Sequence, residues 1–288
     1  MENQERPKTI EEQFEHRETV ELYGGKVEVV DVSPERPKTK VPVVVAPGWS
    51  ASPDDFRGNI IALAQSGRRA ISVHAPHGIE HELPEEHNKL LPDAELRKVA
   101  ALVNSLEMKD IDTVDVVAHS EAALFSTVAA YLYPERFRNL VLVNPAGLIG
   151  EDNIARLMVS FSAEVVRQTI EDIREKRIGK PFFQTLGEIT GYISKKPLQV
   201  VREILAMSNS QIHEILRELK QRGTGISIVS GNRDLVFPTK KMKGVLSPDM
   251  FSGFYEVAGR HNDVYTKSHE YNPLIMGALD KMEEERDK

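Results

Sequence analysis

Eight short runs of β-branched and other apolar residues punctuate the chain, at 19–22, 26–32, 41–46, 70–73, 113–118, 140–143, 225–230 and 253–257. Several are continuously apolar, among them Val43, Val44 and Val45 and the stretch Leu140 to Val143. Uninterrupted runs of that length predict strands covered on both faces. The first three follow one another across turn signals, Gly24-Gly25 and then Pro34 to Pro37. From the third onward, helical spacing intervenes. Residues 54–66 carry Phe56, Ile60, Ile61, Leu63 and Ala64, and residues 93–106 carry Leu96, Val99, Leu102, Val103 and Leu106. Spacings of three and four place each set on one helix face. Strands alternating with helices imply right-handed crossovers, so the fold class is α/β, with a mostly parallel eight-stranded sheet and helices on both faces.

One stretch breaks the alternation. Residues 148–207 have helical periodicity and no strand pattern, with Ile154, Leu157, Met158, Phe161 and Val165 continued by Val166, Ile170 and Ile173. The organisation expected is a polar N-terminal arm (1–18), a core made of 19–147 and 208–288, and a helical insertion (148–207). Ser208 with Gln211 reads as a capping box opening a helix over 210–222, which Gly223 would end.

Composition narrows the chemistry. The 288 residues carry Lys+Arg 37 against Asp+Glu 44, a net charge of −7, and no basic cluster beyond Lys240, Lys241 and Lys243. Nucleic acid is therefore not an expected partner. The absence of cysteine removes disulfides, thiol nucleophiles and thiolate zinc sites. No apolar window is long enough to span a membrane, and the first eighteen residues have no signal-like apolar core; a cytoplasmic location is expected.

Three positions carry a pattern that chemistry would need. Val114 to Ala118 runs through His119 into Ser120, and an apolar helix follows at once over 121–133. A strand turning that sharply strains the serine and tolerates only tiny residues two before and two after; these are Ala118 and Ala122. The run at 225–230 leads to Asp234, and the run at 253–257 leads to His261. Each also has an ordinary reading, as a helix-capping serine, a turn aspartate and a surface histidine. Together they put a hydroxyl, a carboxylate and an imidazole just past the ends of three separate strands, the edge where α/β sheets assemble sites. The third run ends in Pro47-Gly48-Trp49, whose backbone N–H at Trp49 would pair with that of Glu121 as two donors for an oxyanion, while the Trp49 ring reads equally as a core aromatic.

With these motifs the sequence resembles the α/β-hydrolase fold superfamily, in its serine-nucleophile branch with a helical cap. The resemblance spans about Lys26 to the last helix. It implies Ser120 as nucleophile, His261 as general base and then acid, Asp234 as its orienter, and the Trp49 and Glu121 N–H groups as oxyanion hole. It also implies that 148–207 is the cap, with Leu157, Met158, Phe161, Phe182 and Phe183 as candidate pocket residues. The sequence departs from the pattern in its elbow alanines, in Pro47 where histidine is common, and in Glu121, a carboxylate beside the developing oxyanion. The expected activity is a serine hydrolase cleaving a carboxylic ester, or related acyl bond, of a small-to-medium apolar substrate without a cofactor. Two alternatives stay open. One is a carbon–carbon bond hydrolase, which a cap arginine such as Arg156 or Arg167 in the pocket would favour. The other is a non-catalytic binding protein, which a Ser–His pair out of reach would favour. His74, His77, His81 and His87 cluster near four glutamates, but Pro76 and Pro84 break any common face, and a solvated loop is expected there rather than a metal site.

Overall fold

The apolar runs become the middle of one sheet. The structure, a computed structural model, describes residues 8–22, 25–74, 93–150, 152–174, 194–195, 197–286 and 288. The strands are β1 (Arg17–Leu22), β2 (Gly25–Val32), β3 (Val43–Ala46), β4 (Ala70–His74), β5 (Val114–His119), β6 (Phe137–Val143), β7 (Gly225–Gly231) and β8 (Gly253–Val257). They line up in the order β1-β2-β4-β3-β5-β6-β7-β8. β2 pairs antiparallel with β1 and β4, and every pairing from β4 to β8 is parallel. All residues of β3 and β5 are buried, which is why these strands read as continuous apolar runs rather than alternating ones.

Helices cover both faces. One face packs α3 (Asp93–Met108), α4 (Ala122–Leu132) and α7 (His213–Gln221) on the sheet, and the other packs α2 (Arg57–Gln65) and the long C-terminal α10 (Ser268–Arg286). Helix α4 is buried through Ala130, and its small residues let it lie close against the strands. Two shorter helices, α8 (Thr239–Val245) and α9 (Asp263–Thr266), follow the ends of β7 and β8. Between β6 and β7 lie α5 (Ile154–Arg174) and α6 (Pro197–Asn209), both in the stretch expected to be helical and strand-free.

Three details differ from the expectations. The N-terminal arm contains a helix, α1 (Ile10–Glu15), closed by a capping box between Thr9 and Glu12. It is docked because Phe14 is fully buried, with Arg17 and Arg57 stacked on its ring at 4.5 and 4.6 Å. No capping box forms at Ser208, whose hydroxyl donates back to the Leu205 carbonyl inside α6. Accordingly α7 starts later, at His213, with no side-chain cap. The stripe read along α5 faces outward at Met158, Val165, Val166, Ile170 and Ile173, all exposed. The inward face runs Leu157, Phe161, Glu164, Gln168 and Glu171, because polar partners on the His261 loop select it: Gln168 accepts from Asn262 at 2.7 Å, and Glu171 from Arg260 at 2.6 Å and Lys267 at 3.1 Å.

Candidate active site

Parallel strands end on the same side, so the turns after β3, β5, β6, β7 and β8 converge on one edge of the sheet. Ser120 sits between β5 and α4 with φ +55°, a left-handed conformation that costs a non-glycine residue free energy and is held here by its surroundings. Its N–H donates to Val143 at 3.0 Å, and its carbonyl accepts from Ala123 and Ala146, each at 3.1 Å. The strain directs the hydroxyl towards the β8 loop. His261 Nε2 lies 2.9 Å from Ser120 Oγ, and His261 Nδ1 lies 2.8 Å from Asp234 Oδ2. All three side chains are buried. The other carboxylate oxygen of Asp234 accepts the N–H groups of Val236 at 2.7 Å and Phe237 at 2.9 Å, which fixes the carboxylate plane.

The histidine loop is fastened from behind. Its carbonyl at His261 accepts from His119 Nε2 at 3.0 Å and from Asn144 Nδ2 at 2.8 Å. Asn144 itself has φ +45° after β6, and its side-chain oxygen accepts the Gly231 N–H at 2.7 Å. One amide thus ties the ends of β6, β7 and β8 together. Tyr271 adds a hydroxyl donated to the Arg260 carbonyl at 3.1 Å. In the sequence Asn144 registers only as a polar residue closing an apolar run, so its tethering role has no one-dimensional signal.

His119 is buried, and its Nδ1 has no hydrogen-bond partner among the described residues. Burial foremost, then the charge of nearby His261, hold its imidazole well below the usual range, so it is neutral in the folded chain. In the unfolded chain it takes up a proton near pH 6.5, so the stability it contributes is present above that pH and is lost as pH falls through it, by at most about 1.4 kcal/mol per pH unit. The His119→Gln variant is expected to show a shallower fall in melting temperature between pH 7 and 5 than the parent. Equal slopes would show that His119 is not held neutral.

The turn after β3 presses on the serine. A Cβ added at Gly48 would stand 2.8 Å from Ser120 Cβ and 2.9 Å from the His119 carbonyl, so only glycine lets the turn approach so closely. Among the described residues, neither the Trp49 nor the Glu121 N–H is donated to a backbone carbonyl. Glu121 does not turn to solvent. It is buried and accepts from Lys98 of α3 at 2.5 Å. The indole N–H of Trp49 donates to Glu203 of α6 at 2.7 Å.

Among the candidate pocket residues, Phe161 meets the site, with its ring edge-on to both Trp49 and His261 at 5.8 Å. Leu157 is fully buried in the core cluster and Met158 is exposed, while Phe182 and Phe183 lie outside the described residues. Arg156 is committed elsewhere, to Asp152 and to the carbonyls of Leu235 and Val236 at 3.1 and 2.8 Å, and Arg167 is exposed. His74 ends β4, whereas His77, His81 and His87 lie outside the described residues. Sequence reasoning missed Glu164, one turn after Phe161. It is buried, its Oε2 has no hydrogen-bond partner among the described residues, and burial pushes its carboxyl up while the neighbouring His261 pulls it down.

A sequence profile for the alpha/beta hydrolase fold matches residues 41–191, more than half of the chain. The chain belongs to the alpha/beta hydrolase fold family. The expected enzyme class, a hydrolase of this fold, follows with the family. Among solved structures, the hydrolase is similar to a bromoperoxidase from Bacillus anthracis (18% identity, 92% of this chain and 100% of that one, TM-score 0.64). It is also similar to an N-acyl homoserine lactone degrading enzyme (17% identity, 90% and 99%, TM-score 0.61) and to a meta-cleavage product hydrolase from Pseudomonas fluorescens (17% identity, 92% and 97%, TM-score 0.57). Identities this low speak for the fold alone, and the three differ in chemistry. A search of curated protein sequences found no match. No helix among the described residues is long and apolar enough to cross a membrane.

Proposed function

We propose that the chain is a serine hydrolase that cleaves a carboxylic ester, or a related acyl bond, of a small-to-medium apolar substrate through an acyl-enzyme on Ser120. The observation that carries this reading is the unbroken relay from Ser120 Oγ to His261 Nε2 at 2.9 Å and from His261 Nδ1 to Asp234 at 2.8 Å. A serine hydroxyl is a weak nucleophile until a base takes its proton, and a base is effective only when held in one tautomer and orientation. Asp234 accepts a hydrogen bond from Nδ1–H, which fixes the proton on Nδ1 and leaves the Nε2 lone pair towards Ser120. As Ser120 Oγ bonds to the acyl carbon, its proton passes to His261 Nε2 and the carbonyl oxygen takes up charge facing the Trp49 and Glu121 N–H groups. The tetrahedral species collapses, the C–O bond to the leaving group breaks, and the imidazolium protonates the departing alcohol. A water, deprotonated by His261, then attacks the acyl carbon; the C–Oγ bond breaks, the acid leaves, and the imidazolium returns the proton to Ser120 Oγ.

The stretch 148–207 is read as the cap over this edge, supported by the seat of Phe161 on His261 and Trp49. Those edge-on aromatics favour an apolar acyl group. The carbon–carbon alternative has less support, since Arg156 is bound to Asp152 and to two carbonyls and Arg167 is exposed. The non-catalytic alternative loses support with the short Ser120–His261 distance.

The test is turnover of p-nitrophenyl esters from acetate to decanoate. Turnover highest at short or middle chain length, with a burst of one p-nitrophenol per chain in rapid mixing, is the expected outcome. A folded wild-type chain inert to the whole series and to aryl amides would overturn the reading.

A further inference from the structure

Helix α3 turns two side chains into the interior where a solvated helix face would be the ordinary expectation. Glu95 is fully buried, and the side chain of Lys98 is 13% exposed. Lys98 Nζ lies 2.5 Å from Glu121 and 3.6 Å from Glu95, and Glu203 of α6, also buried, holds the Trp49 indole at 2.7 Å. The charges of Glu95, Glu121 and Glu203 all act on Lys98, and α3 packs on both α4 and α6. Three carboxyls and one ammonium buried together are costly unless each is paired or neutralised. Lys98 serves Glu121, the indole serves Glu203, and the Glu95 carboxyl is pushed well up by burial and by the charge of Glu121.

The two residues that this cluster grips through their side chains, Trp49 and Glu121, are the two whose backbone N–H groups the mechanism proposed above assigns to the oxyanion. On the reading proposed above, we infer that Lys98 and Glu203 are positioning residues forming an oxyanion clamp: Glu203 fixes the Trp49 turn, and Lys98 fixes and neutralises Glu121. Oxyanion donors stabilise charge in proportion to how little they must move when it develops, so a grip on their side chains acts on the transition state rather than on substrate binding. Lys98 has a second effect, since it cancels the one carboxylate adjacent in sequence to Ser120. Because Glu203 belongs to α6, seating of that helix and readiness of the oxyanion donors are linked.

The experiment uses the full chain with p-nitrophenyl acetate. Glu203→Leu and Lys98→Met are expected to lower kcat about ten- to a hundredfold with KM changed less than threefold, short of the ~10²–10³ that follows outright loss of a donor. A phenylboronic acid, whose adduct on the serine carries the tetrahedral oxygen, should bind more weakly by a similar factor. Glu203→Gln, which keeps an acceptor for the indole, should restore most of the loss. Trp49→Phe combined with Glu203→Leu should be no worse than the poorer single variant. Removing the stranded carboxylate, as Lys98→Met with Glu121→Gln, should recover activity over Lys98→Met alone, and this pair also covers the case in which Lys98→Met folds poorly. Single-variant losses that multiply in the Trp49→Phe/Glu203→Leu chain, or folded Glu203→Leu with wild-type kcat, would overturn the clamp. Covalent labelling of wild-type Ser120 by a fluorophosphonate separates these failures from failure of the hydrolase reading itself.

Discussion

Incubated with a fluorophosphonate, the wild-type chain is expected to gain one adduct, mapped to Ser120, while Ser120→Ala and His261→Ala gain none at matched times. The two variants are expected to lose ester turnover by roughly 10⁶-fold, the scale on which removal of a serine nucleophile or its base has been found to act in other serine hydrolases. The reason lies in one backbone angle and one distance. Ser120 is forced to φ +55°, which directs its hydroxyl away from the sheet. His261 Nε2 stands 2.9 Å away, close enough to take the proton as Oγ bonds to phosphorus. The paired losses should not add, because nucleophile and base act as one unit. Intact mass gives stoichiometry and peptide mapping gives the residue. An adduct elsewhere, or one on Ser120 that persists at the wild-type rate in His261→Ala, would mean that the imidazole does not activate this hydroxyl.

Much of this arrangement was legible in the linear chain, and the reasons are local. Strands buried on both faces leave uninterrupted β-branched runs, and all eight runs became strands of one sheet, with ends displaced by up to three residues. Ser120, Asp234 and His261 could be singled out because each lies just past such a run, where a parallel sheet gathers its ends. What stayed hidden depends on which face a side chain takes. Glu95 and Lys98 sit on a helix whose pattern suits a solvated surface, and only the approach of Glu121 and Glu203 from other elements turns them into a buried cluster. In α5, apolar residues occupy more than one face, so periodicity alone could not choose the inward one; contacts from Arg260, Asn262 and Lys267 did. The roles of Asn144 and Gly48 likewise rest on approaches between segments distant in sequence.

Asp234→Asn isolates orientation from chemistry, since the side chain keeps its shape and loses only its charge and one acceptor. Asp234 is an acceptor on both oxygens, with one receiving Val236 and Phe237 N–H and the other receiving His261 Nδ1–H. An asparagine in its place must direct its NH₂ to one of these two sides. Facing the backbone, it would set donor against two donors at about hydrogen-bond distance, which is strongly unfavourable in a buried site. It therefore keeps its oxygen on Val236 and Phe237 and presents NH₂ to His261. Nδ1 must then accept, the imidazole proton moves to Nε2, and the group facing Ser120 Oγ becomes a donor. A donor cannot remove the serine proton. Turnover of p-nitrophenyl acetate near neutral pH is expected to fall by about 10⁴-fold, the size found where a wrong histidine tautomer is imposed in this way. KM and melting temperature should move little, because the cavity and the backbone bonds are kept. Fluorophosphonate labelling of Ser120 should slow in parallel, since that reaction needs the same proton removed. A folded Asp234→Asn chain that retains more than a tenth of wild-type turnover would remove Asp234 as the orienting group, and with it the tautomer on which the base function of His261 depends.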